Sequence, residues 1–140
     1  MKLVIYTDGA SRGNPGPAAY GFTISDHSGN LLHEEGEYIG ITTNNVAEYT
    51  SFLAALKKIK DKFYKHFPVE IKHYADSRLL VEQLSGRFKI KSPHLKAIVE
   101  QIWQLEKEIG EVTHQHIPRE QNKLADKLAN LALDRKKPGF

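Results

Sequence analysis

The 140-residue sequence contains no cysteine. That excludes disulfide bonds, thiolate metal ligands and a cysteine nucleophile, and it suits a reducing compartment. Long apolar runs are missing too. The N-terminal segment reaches Asp8 too soon for the hydrophobic region of a secretion signal, and no stretch approaches membrane-spanning length. The expectation is a soluble, cytoplasmic protein with no membrane partner. No low-complexity tract, internal repeat or linker interrupts the chain, and its length suffices for one ordinary core but not two. Residues 1–135 are therefore expected to form one domain and residues 136–140 a frayed tail. Positive charge is scarce at the start. Residues 1–50 hold two Lys/Arg against six Asp/Glu, net −4, whereas residues 51–140 hold eighteen against eleven, net +7. The asymmetry suits a polyanion approaching one face, although a solvated lysine-rich surface gives the same count.

The pattern of what is present alternates between strand and helix. Leu3 to Asp8 is rich in β-formers and ends at a turn-forming Gly9; Tyr20 to Ser25 and Leu31 to Ile39 follow as strands, joined tightly enough for an antiparallel meander. Val46, Tyr49, Leu53, Leu56 and Ile59 recur at helical spacing between Asn45 and about Phe63, before a strand from Val69 to Asp76. Ser77 caps a short helix to Leu84, Pro93 opens a longer one to about Ile109, Val112 to Ile117 is a fifth strand, and a last helix runs from about Glu120 to Asp134. This order predicts an α/β fold with a five-stranded mixed sheet flanked by helices. Ligands of such sheets gather at the carboxyl ends of parallel strands, where Asp8 and Asp76 both fall.

Four acids sit in distinct short phrases: Asp8 before Gly9-Ala10-Ser11, Glu48 after Thr43-Asn44-Asn45-Val46-Ala47, Asp76 before Ser77, and Asp126 within Asn122 to Ala129. Each has an ordinary structural explanation. Asp8-Gly9 makes a turn pair, Glu48 completes a capping box if Asn45 is the N-cap, and Asp76 precedes a helix start. Asp126 is the most telling. It shares a strip with Asn122, Ala125 and Ala129 beside a leucine strip of Leu124, Leu128 and Leu131, and the small alanines allow close approach to the sheet. Four carboxylates at one sheet edge repel unless a cation lies among them, and all-oxygen ligands favour Mg²⁺ or Mn²⁺. Metal-assisted phosphodiester hydrolysis is the chemistry this suggests.

Together these phrases, with Gly13-Asn14-Pro15-Gly16 and Pro118-Arg119-Glu120-Gln121-Asn122, resemble the type 1 ribonuclease H family over essentially the whole chain. The resemblance implies a ribonuclease H-like fold and an endoribonuclease that cuts the RNA strand of RNA/DNA hybrids, leaving 5′-phosphate and 3′-hydroxyl ends. Asp8, Glu48, Asp76 and Asp126 match the family's quartet of catalytic metal ligands, implying two Mg²⁺ ions per site with Mn²⁺ as a substitute. Thr43 and Asn45 resemble its phosphate-binding residues, Asn14 and Asn44 those near the 2′-hydroxyls of the RNA, though each also suits a cap or turn. The implied partner is an RNA/DNA hybrid, with double-stranded RNA as a further substrate and a monomer as the working form. The alternative is a catalytically weak hybrid- or double-stranded-RNA-binding module of the same fold.

Two segments depart from the family pattern. The stretch from Val112 to Arg119 lacks the glycine- and histidine-bearing loop of many relatives, so Arg119 is the better candidate for an auxiliary catalytic role than His116; His114 and His116 could face one side together, but no third metal ligand is evident. Between Leu84 and Pro93 the basic helix of longer relatives is absent. Only Arg87, Phe88, Lys89 and Lys91 are left to meet phosphates, and Trp103 reads as a core residue.

Overall fold

A computed structural model describes residues 1–135; the tail expected at 136–140 lies outside the described residues. Five strands form one mixed sheet: β1 (Lys2–Ser11), β2 (Gly16–Asp26), β3 (Leu31–Thr42), β4 (Val69–Ala75) and β5 (Gly110–His116), in the order β3-β2-β1-β4-β5. The meander of β1, β2 and β3 is antiparallel, whereas β4 pairs parallel to both β1 and β5. Four α-helices accompany the sheet among the described residues: α1 (Asn44–Phe63), α2 (Arg78–Leu84), α3 (Pro93–Ile109) and α4 (Lys123–Arg135).

The main core lies between the sheet and α1, α2 and α3. Leu3 and Ile5 of β1 meet Phe52, Leu56 and Ile59 of α1 and Val99 and Ile102 of α3, all essentially inaccessible. On the other face α4 lies directly on β2 and β3. A Cβ on Gly21 would come within 2.3 Å of the Ala125 carbonyl oxygen, and one on Gly36 within 2.4 Å of that of Leu128. The alanine strip of α4 does bring it close, but the sheet's own glycines share that role. The neighbouring leucine strip divides: Leu128 is buried, while Leu124 and Leu131 are 43% and 37% exposed.

Two local expectations are corrected. β1 does not turn at Gly9 but continues to Ser11, because a Cβ at Gly9 would lie 2.3 Å from the Glu48 backbone nitrogen; the glycine is there for the close approach of α1. Trp103 is not core. It is 39% exposed, since α3 buries only Val99, Ile102 and Ile109, and its indole nitrogen donates to the Leu84 carbonyl at 3.4 Å.

Candidate active site

Strand alternation and register put Asp8 beside Gly21 on the face covered by α4, while Gly9 turns towards the start of α1. The acid and its neighbour thus serve two different helices. Asp8 is 8% exposed and accepts from the Gly9 amide at 3.0 Å. Glu48 comes from the second turn of α1. The N-cap is Thr43, whose hydroxyl accepts from the Val46 amide, so Glu48 lies beyond the capping-box position. The cap explanation of Glu48 is therefore overturned, and its carboxylate instead accepts from Asn44 Nδ2 at 2.9 Å.

Asp76 follows β4, where Ser77 caps α2 as expected, and its Oδ2 accepts from Asn122 Nδ2 at 3.1 Å. Asp126 occupies the first turn of α4, a favourable end of the helix dipole, and accepts from Asn130 Nδ2 at 3.2 Å. All four acids line one cavity of about 480 Å³ with Asn44, Ser77, Asn130 and the exposed Arg119. Four elements thus deliver four carboxylates to one place.

The electrostatics show the strain of that gathering. Asp8 is pushed from an ordinary 3.8 up to about 8, first by burial, then by the charge of Asp76, by hydrogen bonding with Asp126 and by the charges of Asp126 and Glu48. Burial likewise lifts Glu48 from 4.5 to about 7; the Ser77 hydroxyl opposes that shift and the Asp76 charge adds to it. The cavity sets four acids against the single guanidinium of Arg119. Among the described residues no group of three or more His, Asp or Glu is arranged to hold a metal ion. Asn44, Asn122 and Asn130 each donate to one of the carboxylates, to Glu48, Asp76 and Asp126 in turn. The donor set itself, oxygen only and rich in charge, fits a hard divalent cation.

The residues expected at the substrate lie on one rim. The exposed Asn14 accepts from the Asn44 amide at 3.1 Å, joining the loop after β1 to the start of α1; Thr43 is engaged as the cap, Asn44 holds Glu48, and Asn45 is exposed on the first turn. Arg119 begins a short 3₁₀ turn at the cavity wall, whereas His116 is exposed at the end of β5. His114 does not join it, being turned inward to His73 at 2.8 Å, so the pair they were considered for as a metal site does not form. Farther off, Phe88, Lys89, Lys96 and Trp103 line a separate groove, and Arg87 pairs with Glu82 at 2.9 Å. Asn122 and Asn130 were not singled out as site residues. The one available signal was their i−4 and i+4 spacing from Asp126.

A family model described as reverse transcriptase-like matches residues 6–132. A bifunctional protein of Mycobacterium tuberculosis is 44% identical over 136 residues, covering 96% of this chain and 36% of that protein. Ribonuclease HI of Halobacterium salinarum is 40% identical over 133 residues, covering 95% of this chain and 65% of its own. The chain therefore spans about a third of the mycobacterial relative and about two thirds of the halobacterial one. Among solved structures, a ribonuclease H1 in complex with an RNA/DNA hybrid superposes with a TM-score of 0.91 at 44% identity, covering 95% of this chain and 97% of its own.

Proposed function

The chain belongs to the type 1 ribonuclease H family, and from that membership we propose that it is a divalent-metal-dependent endoribonuclease acting on the RNA strand of RNA/DNA hybrids. What supports this is the convergence of Asp8, Glu48, Asp76 and Asp126 on one cavity, where burial and the neighbouring acids push Asp8 and Glu48 towards neutrality. A structural role gives no reason to collect self-repelling groups at a sheet edge.

In the proposed reaction a water oxygen forms a bond to phosphorus while the bond to the 3′ oxygen of the preceding ribose breaks, leaving 5′-phosphate and 3′-hydroxyl ends. The four carboxylates, with Asp8 on the central strand among them, would hold two Mg²⁺ ions, or Mn²⁺ in their place. Such ions supply activation of the attacking water and neutralisation of charge on the leaving oxygen. Arg119, at the cavity wall, directs its guanidinium to the scissile phosphate. Thr43 and Asn45 meet the flanking phosphates, and Asn14 and Asn44 meet the 2′-hydroxyls that distinguish RNA from DNA. All of these groups come from one chain, so the proposed working form is a monomer, in the cytoplasm that a cysteine-free chain suits.

The test is a cleavage assay on labelled hybrid, RNA duplex, DNA duplex and single-stranded RNA, with and without Mg²⁺. Cutting of the RNA strand of the hybrid only when Mg²⁺ is present is the expected result, and cutting of the RNA duplex would widen the substrate class. Hybrid binding without cleavage would replace the enzyme by a binding module.

A further inference from the structure

A buried polar chain crosses the sheet next to the acid cluster and has no part in the reaction described above. Thr7, one residue before Asp8, has its hydroxyl 2.7 Å from His73 Nε2. His73 Nδ1 lies 2.8 Å from His114 Nδ1, and His114 Nε2 lies 3.5 Å from Glu106 Oε2. The line runs from α3 through β5 and β4 to β1. Thr7 is 2% and His73 0% exposed, and the Phe52 ring stacks on His73 at 4.0 Å while meeting His114 edge-on. Burying polar groups amid such apolar packing costs stability unless every donor and acceptor is matched.

With both rings neutral, matching them fixes the protons. Neither His114 Nε2 nor Glu106 Oε2 has a hydrogen-bond partner among the described residues, and they face each other at 3.5 Å, so an Nε2–H directed at the carboxylate is the arrangement that comes nearest to satisfying both. The other nitrogen of a neutral His114 is then an acceptor, which requires His73 to donate from Nδ1 and to accept at Nε2 from the Thr7 hydroxyl. Burial, the larger cause, holds His73 well below its ordinary value, so this ring is neutral as the scheme needs.

The inner end of the chain touches the site through the backbone. The Thr7 carbonyl accepts from Asn122 Nδ2 at 2.8 Å, and the same amide nitrogen donates to Asp76 at 3.1 Å. The Thr7 residue is thereby held from its side chain and from its carbonyl, immediately before Asp8. We propose that Glu106, His114, His73 and Thr7 form a directional positioning relay for the hydrolysis, fixing the strand end that presents Asp8 and, through Asn122, the placement of Asp76 relative to it. The relay rests on the hydrolase reading, but its protons can be read on the protein alone.

The experiment has two arms. In the first, ¹⁵N-resolved imidazole spectra of the wild-type protein show His73 as the Nδ1–H tautomer and His114 as the Nε2–H tautomer; the reverse on either ring, or averaged tautomers, overturns the relay. In the second, Thr7→Val, which keeps the shape and deletes the hydroxyl, lowers kcat on a hybrid about tenfold at unchanged KM, as a displaced reacting group does, while Thr7→Ser restores it. Wild-type kcat in Thr7→Val, or an equal loss in Thr7→Ser, overturns the relay. Should Thr7→Val not fold, Glu106→Leu tests the same claim from the half-buried end: altered tautomers with lowered kcat support it, and neither change overturns it. A wild-type protein that cleaves no hybrid overturns the hydrolase reading instead, a failure the tautomers keep distinct from this one.

Discussion

At the scale of single residues, Glu48 and Arg119 carry the sharpest expectations. Glu48 makes no cap, so Glu48→Gln leaves the start of α1 intact and removes only charge from the cavity. The expected outcome is a loss of cleavage on the order of a hundredfold, as for removal of one group that stabilises transition-state charge, with a melting temperature at pH 8 unchanged or slightly higher. A destabilised but fully active variant would restore the capping explanation. For the auxiliary role, single-turnover cleavage by Arg119→Ala should be slowed far more than by His116→Ala, because Arg119 lines the cavity; a larger defect in His116→Ala would reverse the assignment. The four acids were legible because each stands in a short local phrase. Of their amide partners Asn44 was legible too, but Asn122 and Asn130 were not: Asn122 meets Asp76 across 46 positions of sequence. The inward turn of His114 depends similarly on the register of β5 against β4, which alternation within one strand cannot supply.

Between elements, the decisive contacts are close approaches of backbone. Gly9 lets the first turns of α1 settle on β1, and that contact brings Glu48 to Asp8. Gly9→Ala forces the two apart, so it should cost about 1–3 kcal/mol, as overpacking does, and reduce cleavage further than its stability loss explains. Denaturant melts and turnover on the same sample check this, and wild-type behaviour in both would deny the contact its importance. Element order and the mixed sheet were readable from β-rich runs, helical spacing and capping residues such as Ser77 and Pro93. Boundaries fared less well, since β1, β2 and β3 all extend past their β-rich centres into Gly-containing segments. Gly9 reflects packing against a helix, whereas Gly16 packs on its own loop at Arg12 and Gly40 takes a φ of +91° beside an irregularity in the pairing of β2 with β3, and a sequence does not distinguish these reasons. Trp103 was misjudged for a related reason: helical spacing gives the faces of α3 but not which of them the sheet covers.

Across the whole molecule, the acid cluster should make folding stability depend on pH and, on the proposed function, on divalent ions. Asp8 at about 8 and Glu48 at about 7 keep their protons longer when folded than their ordinary values of 3.8 and 4.5 allow when unfolded. Their contribution to stability is complete below 3.8 and is lost as pH rises through 7 and 8. Metal-free protein should therefore melt lower at pH 9 than at pH 6, roughly 2–4 °C for each kcal/mol lost; Mg²⁺ should recover the difference at pH 9 by binding the folded state, and an identical melting point at both values of pH would contradict the electrostatic account. The central claim is that the four carboxylates are one catalytic metal site, and Asp8→Asn tests it most directly because it removes charge without volume. Single-turnover cleavage of one hybrid at saturating Mg²⁺ should fall by about a thousandfold or more in this variant, with hybrid affinity largely retained; near-normal turnover would contradict the claim.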